Sequence, residues 1–254
     1  DLHNYDGYEV LVIDDCPEHS SENVVKYYQG YKDKCPIRYI KHDKNRGVAA
    51  ARNTGAKNAK GQYIVFLDDD DTLDRHFLVE ACRILDSTSY DAVGTGRIVI
   101  YPEGVNVFPA KVKEPKFYHT IDDGFLIRLS VFDKIQYDES LLTDEDADFG
   151  LQFLKHFNLY MIEKPLLYKF GHDLKTGSSF SYTSERRYIG LKRFLDKNYE
   201  YLRQNPTEFE YFSRFAGRVY GWGGRMSESR KYLREAFKTR KTLRNFLHLL
   251  FSFW

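Results

Sequence analysis

The sequence is poor in cysteine, lacks long apolar runs and carries almost no net charge, and each shortage excludes a class of protein. Only three cysteines occur among 254 residues, without paired spacing, so neither a disulfide framework nor a zinc ligand set is encoded, and a reducing, cytoplasmic compartment fits best. No stretch approaches the roughly 20 apolar residues of a membrane-spanning helix, and no signal-peptide pattern is visible. A net charge of +1 offers no global attraction for nucleic acid.

What is present is a globular composition with alternating strand and helix patterns. Hydrophobic residues make up 42% and charged residues 30% of the chain, as in folded domains. The order of the patterns predicts an α/β fold with a mainly parallel sheet, flanked by helices and connected by right-handed crossovers. The predicted strands are 8–13, 37–40 and 63–67, and the predicted helices are 21–29, 47–59 and 75–85.

The character of the chain changes after this first half. Residues 90–170 mix further short strands, at 92–100, 159–162 and 166–170, with a stretch rich in turn residues at 102–115. After about residue 183 the pattern is wholly helical. We therefore expect an α/β domain over residues 1–182 and a helical C-terminal extension over 183–254.

Acidic residues follow two of the predicted strands. Asp14 and Asp15 follow the first strand, and four consecutive aspartates, 68–71, follow the third. Ligands of such sheets bind beyond the carboxyl ends of the strands, and four adjacent carboxylates repel one another unless a cation compensates them. A hard divalent ion, Mg²⁺ or Mn²⁺, is one explanation. The other is a solvated acidic loop in which Asp71 or Thr72 caps the next helix.

Two further segments carry candidate functional groups. NRGVAAARNTG opens a small-residue helix with Arg46 and Arg52, which suits a phosphate at the helix start, or equally a helix packed on the sheet with both arginines in solvent. In TDEDADFGLQFL, Thr143 is placed to cap a helix whose first turn is acidic. Those acids compensate the helix dipole, or one of them, Asp146, serves as a general base.

Four motifs together resemble a known family. In order they are VLVIDDCPEHS, NRGVAAARNTGAKNAKGQYIVFLDDDDTL, FLIRLSVFDKIQYDES and TDEDADFGLQFL, and with their spacing they resemble the inverting family 2 glycosyltransferases of the GT-A fold over residues 8–182. The resemblance implies a nucleotide-diphosphate sugar donor, with UDP-sugar favoured, and a divalent cofactor, Mn²⁺ or Mg²⁺. It also implies direct displacement by a hydroxyl of a glycan or lipid-linked acceptor, as in surface polysaccharide or glycoconjugate synthesis.

The resemblance also implies roles for individual positions. Asp15 is expected at the nucleobase, and the aspartates that end the second motif at the ribose or metal. The positions matched to the nucleotide sugar are Asp15, Arg52, Asp68 and Asp69, those matched to the metal are Asp70 and His172, and the catalytic base is Asp146. Members of the family normally open with one more strand and helix than this sequence shows, so we expect that unit to be missing from its start.

The tail supports two interpretations. Residues 225–244 contain eight basic and two acidic residues, followed by FLHLLFSFW. A basic helix with an apolar end is typical of peripheral contact with the inner face of a membrane. The pattern rather favours a final helix that packs its apolar face on the domain.

Two rival functions remain compatible with the sequence. The string LDDDDTL also resembles the first motif of haloacid-dehalogenase-type phosphatases, with Asp68 as nucleophile and Asp70 as acid/base. The later motifs of those enzymes are not evident here. The other rival is a noncatalytic family member that binds a nucleotide or glycan.

Overall fold

The computed structural model describes residues 7–30, 35–110, 121, 123–171 and 184–252. Within them the chain forms two compact units. The first comprises Asp1–Ser140 and Glu145–Asp173, and the second comprises Leu141–Asp144 and Leu174–Trp254. The short segment 141–144 therefore groups with the C-terminal helices. The sequence did not indicate this grouping, because the segment lies far from those helices along the chain. His172, expected at the metal, lies outside the described residues.

The first unit contains strands and helices in mixed order. Its elements are β1 (Val10–Asp14), α1 (Glu22–Gln29), β2 (Ile37–Lys41), α2 (Val48–Asn58), β3 (Tyr63–Val65), β4 (Thr72–Leu73), α3 (Phe77–Ser87), β5 (Ala92–Tyr101), β6 (Gly104–Phe108), β7 (Phe125–Arg128), a 3-10 turn (Leu129–Asp133), α4 (Glu145–His156) and β8 (Leu159–Phe170). The first three strands and helices begin and end close to the positions predicted from their periodicity. The sequence missed β6, which lies in the turn-rich stretch, and β7.

Strand pairing confirms the α/β class and is more mixed than predicted. In the described residues β1 and β2 pair in parallel, and a second sheet has the order β3-β7-β5-β8-β4 with β6 paired to β5. The β5–β8 pairing is parallel, whereas β7 runs antiparallel to both β3 and β5. Strand β7 lies between β3 and β5, which point in the same direction, and it is antiparallel to both. The alternation of strands and helices in the sequence did not predict these antiparallel pairings.

One long strand, β8, replaces the two strands predicted at 159–162 and 166–170. Pro165 lies between the two predicted strands, and proline cannot donate to a strand ladder. The register with β5 shifts at this point, and the Thr95 hydroxyl donates to Lys164 O (2.6 Å) and accepts from Leu166 N (2.9 Å). This side chain replaces the missing backbone pairing, so the strand continues through the proline.

Aromatic packing fixes the helix that carries the predicted base. Phe149 of α4 is fully buried and stacks on Tyr137 and Phe132, with ring centroids 4.2 and 5.4 Å apart. Phe153, one turn later, is also fully buried. Stacked pairs contribute roughly 0.5–1.5 kcal/mol beyond the area they bury. The N-terminal turn of α4 is thereby held by a rigid apolar anchor.

The second unit is helical, as the sequence predicted. Its helices are α5 (Glu185–Gln204), α6 (Pro206–Trp222), α7 (Met226–Thr239) and α8 (Leu243–Phe251). A Cβ on Gly217 would lie 2.5 Å from Leu233 Cγ, so the glycine permits the close approach of α6 and α7. Because the two helices are this close, the Ser229 hydroxyl of α7 donates a hydrogen bond to Gly217 O of α6 (2.7 Å).

Segment 141–144 is held by α5. Asp144 has a φ of +63°, a conformation that costs a non-glycine residue about 1–2 kcal/mol. Arg187 Nη1 donates to Asp144 Oδ2 (2.9 Å), and so does the Thr143 hydroxyl (2.9 Å). Thr143 thus supports Asp144 rather than capping α4 as predicted, and Asp144 precedes the helix instead of occupying its first turn.

The final helix does not pack as the sequence favoured. Five of the six leucine and phenylalanine residues of α8 are exposed, Leu249 is half-buried, and the buried position on this helix is the polar Asn245. The expectation of an inward apolar face is therefore wrong for α8. In the described part of the chain no helix is both long and apolar enough to cross a bilayer.

Candidate active site

Asp14 organises the loop after β1 and takes no direct part in the candidate site. Its carboxylate is buried, accepts hydrogen bonds from Cys16 N (3.0 Å) and Ser21 N (2.8 Å), and accepts another from the Tyr39 hydroxyl (2.6 Å). These donors, led by Tyr39, hold the pKa of Asp14 below its usual value. Asp14 is thus a structural carboxylate, which its pairing with Asp15 in the sequence did not reveal.

We expect Asp14→Asn to lower the free energy of unfolding by roughly 2 kcal/mol at pH 7, since an amide cannot accept all of these bonds. The folded-state pKa lies below the unfolded value, so Asp14 stabilises the protein above about pH 4 and this contribution is lost as pH falls through the folded pKa. Urea unfolding at pH 7 and pH 3 measures both effects, with the exposed Asp43→Asn as control. An equal deficit at both pH values would contradict the role of the charge.

Asp15, expected at the nucleobase, is bound to the start of α2. Its two carboxylate oxygens accept from the backbone N–H groups of Arg46 (2.8 Å) and Gly47 (2.6 Å), and Oδ1 lies 2.7 Å from His42 Nδ1. Gly47 has a φ of +87°, a value that glycine adopts without strain. The anion at this helix start is therefore the chain's own carboxylate, where the sequence suggested a phosphate.

A groove lies beside these residues. It has a volume of about 330 Å³ and is lined by Lys41, His42, Asp43, Lys44 and Arg46. Three of these five side chains are lysine or arginine, so the charge of the groove at the carboxyl end of β2 suits an anionic or polar ligand.

Arg52 brings three of the sequence motifs together. It lies on α2, about 7.5 Å along the helix axis from Gly47, and it is buried. Its Nη1 donates to Glu145 Oε1 (3.0 Å), and its Nη2 lies 3.7 Å from Asp68 Oδ1. The guanidinium also lies over the Tyr137 ring, 5.3 Å from its centroid. The second, third and fourth motifs therefore meet at one side chain.

Three carboxylates are clustered at the end of β3. Asp68, Asp71 and Asp123 each offer one oxygen, and these oxygens all lie within 4.8 Å of one another. Asp123 is almost fully buried and accepts from the backbone N–H of Asp68 (3.2 Å). Lys169 of β8 bridges the cluster, with Nζ 2.9 Å from Asp71 Oδ2 and 2.5 Å from Asp123 Oδ2.

The cluster carries more negative charge than its cations balance. Loss of solvent and the neighbouring Asp123 carboxylate raise the pKa of Asp68 to about 7, which the charges of Arg52 and Lys169 offset only in part. Burial likewise raises the pKa of Asp71. Hard carboxylate oxygens at this spacing fit Mg²⁺ or Mn²⁺, and a dication would relieve the carboxylate repulsion that adds to burial in raising both pKa values.

The cluster differs in membership from the predicted metal ligands. It contains Asp68 but neither Asp69 nor Asp70, and both of those side chains lie at exposed positions after β3. Asp71 does not cap the following helix, because β4 intervenes and the carboxylate of Asp74 accepts from His76 N (2.9 Å) at the start of α3. The alternative in which Asp71 caps this helix is therefore wrong, while the assignment of Asp70 to the metal stays a prediction.

Asp146 differs from its acidic neighbours in being partly exposed. Asp144, Glu145 and Asp148 are buried, and their carboxylates accept hydrogen bonds from Arg187, Arg52 and Gln152 respectively. Asp146 accepts from the Ala147 backbone N–H through Oδ1 (2.8 Å). Of this acidic run, Asp146 is thus the carboxylate that is both solvent-accessible and next to the Arg52–Glu145 pair.

Sequence reasoning missed three groups at this site. Glu145 was placed in an acidic turn without its partner Arg52. Asp123 and Lys169 were not singled out, because they lie at β7 and β8, whose pairing is long-range. The IDDGF string before β7 was an available signal for Asp123, since acids that precede an antiparallel strand lie at the same sheet edge as acids that follow its neighbour β3.

Comparison with known proteins decides the family. The model of glycosyl transferase family 2 matches residues 2–138, which include the strand-end aspartates and Arg52. The chain belongs to this family. It is therefore a glycosyltransferase, and neither the phosphatase nor the noncatalytic interpretation gains support.

Relatives of this glycosyltransferase come from bacteria and an archaeon. It is 27% identical to an uncharacterized glycosyltransferase of Haemophilus influenzae, over 95% of this chain and 84% of the relative. It is 31% identical to the poly(ribitol-phosphate) beta-N-acetylglucosaminyltransferase TarP of Staphylococcus aureus, over 61% of this chain. It is 30% identical to a Methanocaldococcus jannaschii glycosyltransferase, over 62% of this chain. The alignments span 50% of TarP and 58% of the archaeal protein.

Solved structures with the same fold include those of TarS and GalNAc-T7. Residues 1–349 of S. aureus TarS, in complex with UDP-GlcNAc, match 96% of this chain and 70% of that one with a TM-score of 0.62 and 19% identity. GalNAc-T7 with UDP, GalNAc and Mn²⁺ matches 78% of this chain and 44% of that one with a TM-score of 0.57 and 15% identity. These likenesses confirm the GT-A fold.

Proposed function

We propose that this glycosyltransferase moves a sugar from a UDP-sugar to an acceptor hydroxyl of a cell-surface polysaccharide or other glycoconjugate, with inversion at the anomeric carbon. The observation that carries the proposal is the Arg52 junction, which joins the acidic cluster after β3 to the helix start that bears Asp146. TarS with UDP-GlcNAc and GalNAc-T7 with UDP support a UDP donor. TarP, which acts on poly(ribitol-phosphate), supports a surface-polymer acceptor.

The donor would occupy the carboxyl ends of β1–β3. The groove formed by Lys41, Lys44 and Arg46 suits the nucleotide, and the Asp68–Asp71–Asp123 cluster would hold Mn²⁺ or Mg²⁺ against the diphosphate. When bound, the ion supplies positive charge that stabilises the leaving nucleoside diphosphate. Lys169 already lies against the same carboxylates and keeps them in place.

Asp146 would act as the general base. As the acceptor oxygen bonds to the anomeric carbon, the bond from that carbon to the diphosphate oxygen breaks, and the acceptor proton passes to the Asp146 carboxylate. Glu145 is bound to Arg52 and cannot share this task without losing its partner. The role of Arg52 is to fix the position of the turn that presents Asp146.

We expect a diphosphate nucleotide to stabilise the protein only when a divalent metal is present. A ligand at about 100 times its Kd raises the free energy of unfolding by about 2.7 kcal/mol, which corresponds to roughly 5–10 °C in Tm for a chain of this size. A thermal-shift panel of UDP, GDP, CDP and dTDP, each with Mn²⁺ or EDTA, measures the effect. The largest shift is expected for UDP with Mn²⁺.

Paired variants test the ligand set in the same panel. Asp123→Asn should abolish the Mn²⁺-dependent shift if the cluster binds the ion, and Asp70→Ala should abolish it if the family motif is followed. Loss in both variants places both groups at the metal. Equal UDP shifts with Mn²⁺ and EDTA in the unmodified protein would refute metal-dependent donor binding. Release of phosphate from simple esters would instead support the phosphatase interpretation.

A further inference from the structure

Helix α8 carries a continuous apolar face that is exposed to solvent. Five large apolar side chains recur at the spacing of a single helix face, i, i+3, i+4, i+7 and i+8. Their exposed fractions range from 39% to 72%. Adjacent exposed side chains of this size form a patch of the kind that marks an interaction surface. The α8 apolar face consists of Leu243, Phe246, Leu247, Leu250 and Phe251.

The opposite, polar face of α8 attaches the helix to the second unit. Asn245 is buried, and its Nδ2 donates to Arg240 O (2.9 Å) and to Ala236 O (3.3 Å). Arg230 Nε donates to Ser252 O (3.0 Å), and Ser252 is also buried. Surface helices normally present their polar face to water. In α8 these hydrogen bonds hold the polar face against the rest of the second unit and leave the apolar face exposed. The exposure of the apolar face therefore follows from specific contacts.

The chain that leads into and forms α8 is rich in cations, and one of them, Lys238, pairs with Glu235 (2.9 Å). Residues 236–252 contain four lysines and arginines and no acidic residue. Arg240, Lys241 and Arg244 are exposed and lie at the N-terminal end of α8 or in the turn before it. An apolar face bordered by exposed cations at its N-terminal end complements a surface that has hydrocarbon below an anionic layer.

We propose that the α8 apolar face docks on a membrane surface that contains anionic phospholipids. The phenylalanine and leucine side chains enter the boundary between headgroups and acyl chains, and the neighbouring cations contact the lipid phosphates. This mode of contact requires no membrane-spanning helix. It is independent of sugar transfer, and would bring the enzyme to the surface where lipid-linked acceptors are found.

Vesicle co-sedimentation of the full-length protein tests the proposal. We expect binding to vesicles of phosphatidylcholine mixed with phosphatidylglycerol to exceed binding to phosphatidylcholine alone by about tenfold, and to weaken as salt is added. The double variant Phe246→Ser and Phe251→Ser should reduce binding by about tenfold or more per phenylalanine, from the apolar area withdrawn from the bilayer.

Matched control variants distinguish binding through the α8 apolar face from nonspecific adsorption to vesicles. Tyr27 and Tyr28 are similarly exposed aromatic residues on α1, and changing both to serine should leave vesicle binding unchanged. For charge, the pair Arg240→Glu and Lys241→Glu should remove the preference for phosphatidylglycerol. The equivalent change at Arg83 and Lys164, which line a separate surface groove, should not.

Three results would overturn the proposal. The first is no binding to either vesicle type, and the second is binding that the Phe246 and Phe251 variant leaves intact. The third is self-association in sedimentation equilibrium that the same variant abolishes, which would assign the face to a second copy of the chain. The UDP and Mn²⁺ thermal shift, measured on every variant, verifies that the fold and donor site are intact.

Discussion

Changing Asp146 to asparagine is expected to reduce sugar transfer by about 10²- to 10⁴-fold while leaving donor affinity within about twofold. The amide has almost the same shape and cannot take the acceptor proton. Because Asp146 is partly exposed and, within the described part of the chain, accepts a local hydrogen bond from Ala147 N, we expect the substitution to remove little from the fold. Initial rates with UDP-sugar and acceptor, together with calorimetric titration of UDP and Mn²⁺, measure the two quantities separately.

The control for this variant is Asp133→Asn. Asp133 is an exposed aspartate at the end of the 3-10 turn, and its replacement should leave both rate and affinity unchanged. If Asp146→Asn retains more than about a tenth of the activity, general-base catalysis at this position is excluded, because even the smallest effect of such a group is about 10²-fold. A parallel loss of donor affinity would instead assign Asp146 to the donor site.

Replacement of Arg52 is expected to have the largest effect on stability. Arg52→Met leaves the Glu145 carboxylate buried without its guanidinium, and breaking a buried ion pair in this way costs about 3–5 kcal/mol. It also removes the contact with Asp68, so donor binding should fall as well. Urea unfolding gives the free energy, and the UDP and Mn²⁺ titration gives the affinity.

A second substitution separates the two roles of Arg52. In the double variant Arg52→Met with Glu145→Gln the stranded charge is gone, so we expect most of the stability to return. Transfer activity should stay low, because the link from the acidic cluster to the Asp146 turn is still absent. Recovery of activity together with stability would show that Arg52 contributes only to folding.

The elements of the first half of the fold were predictable because each strand and helix there has its own periodicity. The β1 and β2 strands and the α2 helix follow from runs of a few residues. The pairing of β7 did not, since its position between β3 and β5 depends on contacts far apart in sequence. The reversed orientation of α8 was likewise hidden, because two buried polar residues, Asn245 and Ser252, determine which face docks.

The residues of the candidate site that belong to a sequence motif could be predicted. Single residues that only the fold places at the site could not. Arg52 and Asp68 were identified from their motifs, and the structure brings them within 3.7 Å of each other. Asp123 and Lys169 have no local signal that points to a partner. Asp14 and Asp15 are adjacent and chemically identical, yet one organises its own loop and the other binds the start of α2. Only hydrogen-bond geometry separates them.

Because residues 141–144 group with the C-terminal helices, each of the two units is built from two separate segments of the chain. A fragment that ends at residue 173 would contain every carboxylate of the candidate site, yet it would retain Asp144 in its left-handed conformation without Arg187 to compensate it. The turn that leads into Asp146 would then be free to relax. We therefore expect that division of the chain near residue 182, the boundary that helix content suggests, removes the Arg187–Asp144 contact and weakens the turn that leads into Asp146.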